Sequence, residues 1–165
     1  MKIWVLKLKP KYNNEEEAYD ACVADGYIKK LDAINTERIK SLLKNSDISS
    51  ESADTLAKTL KQGDDKWLTV YTLYYDALRI CAEAFLLLDK LNSSNHLCLF
   101  SALCTKHPEL ELDWGFFEKI RTKRNGANYY GEKITYDDWK NAELQIKLYI
   151  STLKKEINKK LKNSE

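Results

Sequence analysis

Residues 67–88 read WLTVYTLYYDALRICAEAFLLL. Trp67, Val70, Tyr71, Tyr74, Ala77, Leu78, Cys81, Ala82, Phe85 and Leu88 recur every three or four residues, the spacing of one helical face. In the second half apolar residues nearly encircle the axis. A helix hydrophobic all round has to be enclosed by others, so this segment is expected to be the central, most buried helix. Within it Arg79 and Glu83 stand four apart and can pair.

Working outward, the same periodicity predicts helices on both sides. Asn13 and Asn14 can cap one that opens on Glu15, Glu16 and Glu17, whose charges suit the positive end of a helix dipole. Thr36 is expected to cap a short helix with Ile39, Leu42 and Leu43. Ser49 or Ser50 is expected to cap another carrying Ala53, Leu56, Ala57 and Leu60, and the two read as a helical hairpin beside the main bundle. Asn92 to Asn95 reads as a polar turn, followed by a helix from His96 to His107 that Pro108 closes. Asp113 opens the next helix, with Trp114, Phe117 and Ile120 facing inward. Thr135, with Asp138 three residues on, opens the last, whose apolar face runs from Trp139 to Ile157. Ahead of all of them, Lys2 to Lys9 alternates like a short strand and ends at Pro10.

Composition agrees. The chain has 165 residues, 44% of them hydrophobic and 32% charged, which suits one soluble core. Five glycines and two prolines are too few for the many turns of an all-β fold. The expected fold is therefore all-α: an antiparallel four-helix bundle over residues 64–165, with an N-terminal extension over 1–63 of an arm and short helices, packed as one unit. A net charge of +2 implies no nucleic-acid partner by itself. Ile3 to Leu6 is too short for a signal-peptide core, and Ala84 to Leu88 is far below a membrane span. Cys81, Cys98 and Cys104 read as core thiols, which suits a reduced, cytoplasmic compartment. No paired His or Cys at ligand spacing, no phosphate-cradling glycine loop and no serine elbow is present, so neither a metal nor a cofactor is expected.

The densest polar stretch is RTKRNGANYYG, from Arg121 to Gly131. Two arginines, two asparagines and two tyrosines packed together make a poor core and a good holder of a phosphate or a base. From Trp114 to Lys133 there are five basic residues to two acidic, which favours an anionic partner. Arginine's planar fork suits bidentate phosphate contact. The bland alternative is that Arg121 and Arg124 pair with Glu118 on a solvated face, and that Asn128 only ends the helix.

Three segments in this order resemble the HEPN domain family, named for higher eukaryotes and prokaryotes nucleotide-binding. Residues 75–88 are similar to its first bundle helix with an embedded acidic residue. Ser94 to Phe100, with His96 inside, looks like the opening of its second. Arg124, Asn125 and Tyr129 resemble its arginine motif, in which a histidine follows four to six residues later. The likeness spans roughly residues 64 to 160, and Glu37 to Leu43 is similar to an N-terminal extension of some microbial members. It implies a metal-independent ribonuclease site between two protomers, hence a homodimer. Arg124 would hold the phosphate, and Arg121, Asn125, Asn128, Tyr129 and Tyr130 would line the ligand.

This chain departs from that pattern at Tyr129, where the family's histidine would stand. Tyrosine titrates near 10 and is a poor base at neutral pH; loss of a general base costs about 10²–10⁴ in rate. The expectation is an RNA- or nucleotide-binding protein with weak or no ribonuclease activity. An active toxin-type endoribonuclease would recruit Glu83, His96 or Tyr129 beside Arg124. A third expectation, also implied by the resemblance, is a toxin–antitoxin partner of a minimal nucleotidyltransferase, with the tyrosines as acceptors. His107, beside Pro108, reads as an ordinary surface residue.

Overall fold

The computed structural model describes residues 11–163. The strand read in Lys2 to Lys9 lies outside them. The described chain is predominantly helical: α1 (Glu15–Ala24), β1 (Ile28–Lys30), α2 (Thr36–Ala57), α3 (Trp67–Leu88), β2 (Leu91–Ser93), α4 (His96–Lys106), α5 (Trp114–Tyr130) and α6 (Tyr136–Lys162), with a 3₁₀ turn at Pro108–Leu110. Among the described residues no helix is long and apolar enough to cross a membrane.

Helix α3 is the axis, as its apolar circumference requires. Tyr75, Ala77, Leu78, Cys81, Ala82 and Ala84 are all fully buried. Its neighbours are fixed by paired contacts along its length. The Tyr74 hydroxyl donates to Asp54 of α2 at 2.5 Å, and its ring stacks on Trp139 of α6 at 4.5 Å. Glu83 meets Arg38 of α2, so α2 runs against α3; Trp67 meets Tyr136 and Phe85 meets Lys160, so α6 runs with it. Helix α5 returns against α6, with Phe117 beside Tyr149 at one end and Lys123 paired to Asp138 at the other.

The expected antiparallel bundle fails at α4. Tyr75 touches His96, the first residue of α4, and Phe85 touches His107, just past its end, so α4 runs in the same direction as α3. The reason is the connection. The polar turn expected from Asn92 to Asn95 gives way at residues 91–93. They are strand β2, paired antiparallel to β1 with Ile28 opposite Ser93 and Lys30 opposite Leu91, and this extended run carries the chain back along α3 before α4 begins. Lys90, in a left-handed conformation (φ 56°), makes the reversal.

The expected hairpin over 36–60 is one unbroken helix of 22 residues, capped by Asn35 rather than Thr36. Ser50, one of the two serines expected to cap a second helix, is absorbed within α2. The Ser50 hydroxyl donates back to the Ser46 carbonyl at 3.0 Å, and the buried Ser46 hydroxyl donates to the Ala77 carbonyl of α3 at 2.9 Å. Ile39 and Ala53 of α2 and Ala18 of α1 belong to the same core as α3, so the N-terminal extension is not set apart from the bundle. The capping box expected at Thr135 and Asp138 is present. Asp113 does open α5, but without a side-chain cap; its backbone N–H donates to the Tyr149 hydroxyl at 2.8 Å instead.

Cysteine pairing was not foreseen. Cys22 of α1 is bonded to Cys98 of α4, with Cα atoms 5.6 Å apart, so Cys98 is no free core thiol and one support of the reduced-compartment reading is removed. Cys81 and Cys104 are free and buried, as expected. Closing a loop of 76 residues in the unfolded chain is worth about 4–5 kcal/mol in the chain-entropy account. Replacing both partners, Cys22→Ser with Cys98→Ser, is therefore expected to cost about 2–5 kcal/mol in urea unfolding, while Thr135→Ala costs about 1 kcal/mol.

Candidate functional site

Helix geometry sorts the polar residues of α5 before any contact is counted. At about 100° per residue, Arg121, Arg124 and Asn128 fall within about 60° of one another, whereas Tyr129 and Tyr130 stand about 140° and 120° away from Arg124. Tyr129 and Tyr130 are accordingly 73% and 78% exposed, and Asn128 is exposed at the end of the arginine face. Within the chain the phenol at position 129 does not join Arg124. Gly131, left-handed at φ 67°, ends the helix; Asn128 does not.

Another phenol and an imidazole take that place. The Tyr75 ring lies under the Arg124 guanidinium, 5.5 Å from its carbon to the ring centroid, and the Tyr75 hydroxyl is 3.0 Å from His96 Nδ1. Arg124 also donates to the Asn125 side-chain oxygen at 3.3 Å. Its Nε is buried with no hydrogen-bond partner, and among the described residues Arg124 has no carboxylate in ion-pair range. The other arginines are all engaged. Arg121 grips Glu118 with two bonds of 2.7 and 2.8 Å, and Arg79 lies between Asp76 (3.6 Å) and Glu83 (3.3 Å). Glu83 is shared with Arg38 at 2.9 Å, two turns along α3 from Tyr75. The alternative pairing with Glu118 thus holds for Arg121 and fails for Arg124.

Burial and charge set the protonation states. His96 is held below its ordinary 6.5, first by burial and then by the positive charges of Arg79 and Arg124, with Asp76 opposing. Burial drives the Tyr75 phenol well above 10, although Arg124, Arg121 and Arg79 pull the other way. At neutral pH the phenol therefore keeps its proton and the imidazole is neutral, and the imidazole tautomer sets which of the two donates across their contact. With the phenol donating to Nδ1, the ring proton sits on Nε2 and the cluster is rich in donors: the imidazole N–H, a guanidinium without a carboxylate, and the first turn of α4, where Asn95 already satisfies the Leu97 N–H at 2.9 Å. Such an arrangement receives an anion. In the other tautomer, with Nδ1–H donating to the Tyr75 oxygen, Nε2 is free to accept a proton, as general-base chemistry requires.

His107 is not the ordinary surface residue expected from its place beside Pro108. It is buried, edge-on to Phe85 at 4.7 Å, with Nδ1 2.9 Å from Glu109 and Nε2 bonded to Asp89. The Asp89 hydrogen bond raises its pKa above 6.5, burial opposes, and Glu109 adds to the rise. Among the described residues no three His, Cys, Asp or Glu side chains converge as ligands for a metal ion. Comparison with family models, curated proteins and solved structures finds no match to this chain. Tyr75 and Asp76, which complete the cluster, were missed in the sequence. Their one signal is position: they precede Arg79 by four and three residues, the spacing that shares a helix face.

The two histidines predict opposite pH effects on stability. His107, raised in the folded state, contributes stability that is full below the unfolded value near 6.5 and is lost as pH rises through its folded value. His96, lowered, contributes stability that is present above 6.5 and is lost as pH falls through the unfolded value toward the folded one. Urea unfolding from about pH 5 to about pH 8 is expected to show His107→Gln most destabilising at the acid end, and His96→Gln relatively most favourable there.

Proposed function

We propose that this chain is a HEPN-like protein that binds RNA or nucleotide through Arg124, with weak or no ribonuclease activity. One observation carries the reading: Arg124 has no carboxylate partner among the described residues, has a buried Nε without a hydrogen bond, and sits over Tyr75 beside His96. A structural arginine in such a place is expected to be neutralised, as Arg79 and Arg121 are. A phosphate would supply the missing counter-charge, and the His96 Nε2–H would be its second donor. The reading includes a homodimer, in which a second copy would bring Tyr129 and Tyr130 toward the cluster and complete the composite site that the family resemblance implies.

The presence of His96 favours one further reading, an active metal-independent endoribonuclease. An imidazole that is neutral at pH 7, with Nδ1–H donating to the Tyr75 oxygen, can take the 2′-hydroxyl proton at Nε2 while the guanidinium holds the scissile phosphate; the phenol at Tyr129 cannot. Exposure of Tyr129 and Tyr130 supports the remaining reading, a minimal nucleotidyltransferase partner acting on their hydroxyls. An unchanged mass after incubation with such an enzyme and ATP would remove it.

Fluorescence anisotropy tests the main reading. The full chain is expected to bind single-stranded RNA or a nucleotide at micromolar concentration. Loss of a charge-assisted contact is worth about 1.5–3 kcal/mol, so Arg124→Ala should weaken binding about 10- to 150-fold. Arg121→Ala should act less, because Glu118 already occupies Arg121. No binding by folded wild-type protein would refute the proposal. Cleavage to cyclic-phosphate ends without added metal, abolished by His96→Ala, would select the ribonuclease.

A further inference from the structure

Helices α2 and α6 both lie along α3, and a groove runs between them. It is bridged where Lys147 reaches Asp54 at 3.3 Å and where Lys154 reaches Asp47. Two adjoining hollows, about 370 and 490 Å³, share Lys154 and follow the groove toward the end of α6. Leu43, Ile150 and Leu161 supply apolar lining; Lys40, Lys44, Lys147, Lys154 and Lys162 supply charge, against only Asp47 and Asp54. Lys40 is also paired with Glu37, and Lys147 with Glu143. Lys44 and Lys162 have no carboxylate in ion-pair range among the described residues.

From Lys147 to Lys162 the basic side of the groove extends about 22 Å along α6, at about 1.5 Å per residue. Charge distributed along a line over apolar lining suits a polymer with a repeated negative charge and flat apolar faces. Lysine is a point charge on a flexible stem, so it tracks phosphates without reading sequence. The surface is distinct from the arginine cluster: adjacent residues of α3, Tyr74 and Tyr75, turn to the groove and to the cluster, about 100° apart.

We infer that the α2–α6 groove is a second binding surface, for the phosphate backbone of single-stranded RNA. The inference rests on the RNA-binding reading of the chain and deepens it: Arg124 holds one phosphate in a fixed geometry, and the groove holds the rest of a longer strand without sequence preference.

The test uses the full chain and labelled oligouridylates of roughly 3 and 12 nucleotides, bracketing the smaller single-strand site sizes. Affinity is measured as a function of salt for wild type, Lys44→Gln/Lys162→Gln, Lys44→Arg/Lys162→Arg and Arg124→Ala, with thermal melts to confirm folding. Each neutralised phosphate contributes about 0.7 to the slope of log K against log salt. The double glutamine variant should therefore lose about 1.4 from the slope for the long strand, or about 25-fold at 0.1 M salt. The arginine pair should retain the slope, and the short strand should be unaffected by either. If the long strand is bound as tightly and with the same slope by the glutamine variant, while Arg124→Ala weakens both strands, the groove is off the RNA path and the Arg124 reading stands. If only the groove variant weakens binding, the groove stands and the Arg124 reading falls. Binding of polyglutamate but of neither RNA overturns both, and makes the groove a site for an acidic protein.

Discussion

Helix α3 must be hidden on nearly every side, and the rest of the molecule is arranged to do it. A helix this apolar cannot face water along any flank, so α2, α4, α5 and α6 each bring a face against it. Its few polar side chains are then forced into the seams between neighbours. Asp76, Arg79 and Glu83 occupy one seam and neutralise one another there, with help from Arg38 of α2. The Tyr75 hydroxyl finds His96 in the same region. Because α4 begins beside Tyr75 and not beyond Leu88, the return strand β2 is as much a part of the candidate site as any side chain in it.

The electrostatics of the two histidines follow from their neighbours. His96 has arginines around it and burial on top, and both disfavour the charged ring. His107 has carboxylates on both nitrogens, and these outweigh burial. One imidazole is thus held neutral as an acceptor or donor of a single proton, while the other is held ready to be a cation that ties Asp89 to Glu109. Their chemical roles diverge although both flank the same short helix.

Much of the helical architecture was readable because helix formation is local. The buried face of α3, the Asn14 cap of α1 and the capping box of α6 each depend on residues within four positions of one another. What could not be read depends on residues far apart. The continuity of α2 past Ser49 and Ser50 rests in part on Ser46, whose hydroxyl donates to the Ala77 carbonyl 31 residues away. Residues 91–93 look like a turn until β1 offers its edge. Cys22 and Cys98 carry no signal of pairing across 76 residues. The same division runs through the candidate site. Arg124 stood out from its polar neighbours in the chain, but Tyr75 became visible only when α3, α4 and α5 were assembled. Tyr129, close by in sequence, was carried away from Arg124 by the turn of the helix.

That division of α3 between Tyr74 and Tyr75 limits how the chain can vary in length. Inserting one residue between Trp67 and Tyr74 would rotate the first turns of the helix by about 100° against the remainder, uncoupling Trp67 from Tyr136 while Tyr74 and Tyr75 kept their partners. An insertion of about seven residues, close to two full turns, is the shortest that holds the facing to about 20°, and it would lengthen the helix by about 10 Å, so α2 and α6 would have to grow with it. The central rod is in effect quantised: its neighbours can be redecorated one side chain at a time, but its length can change only in steps that the whole bundle takes together.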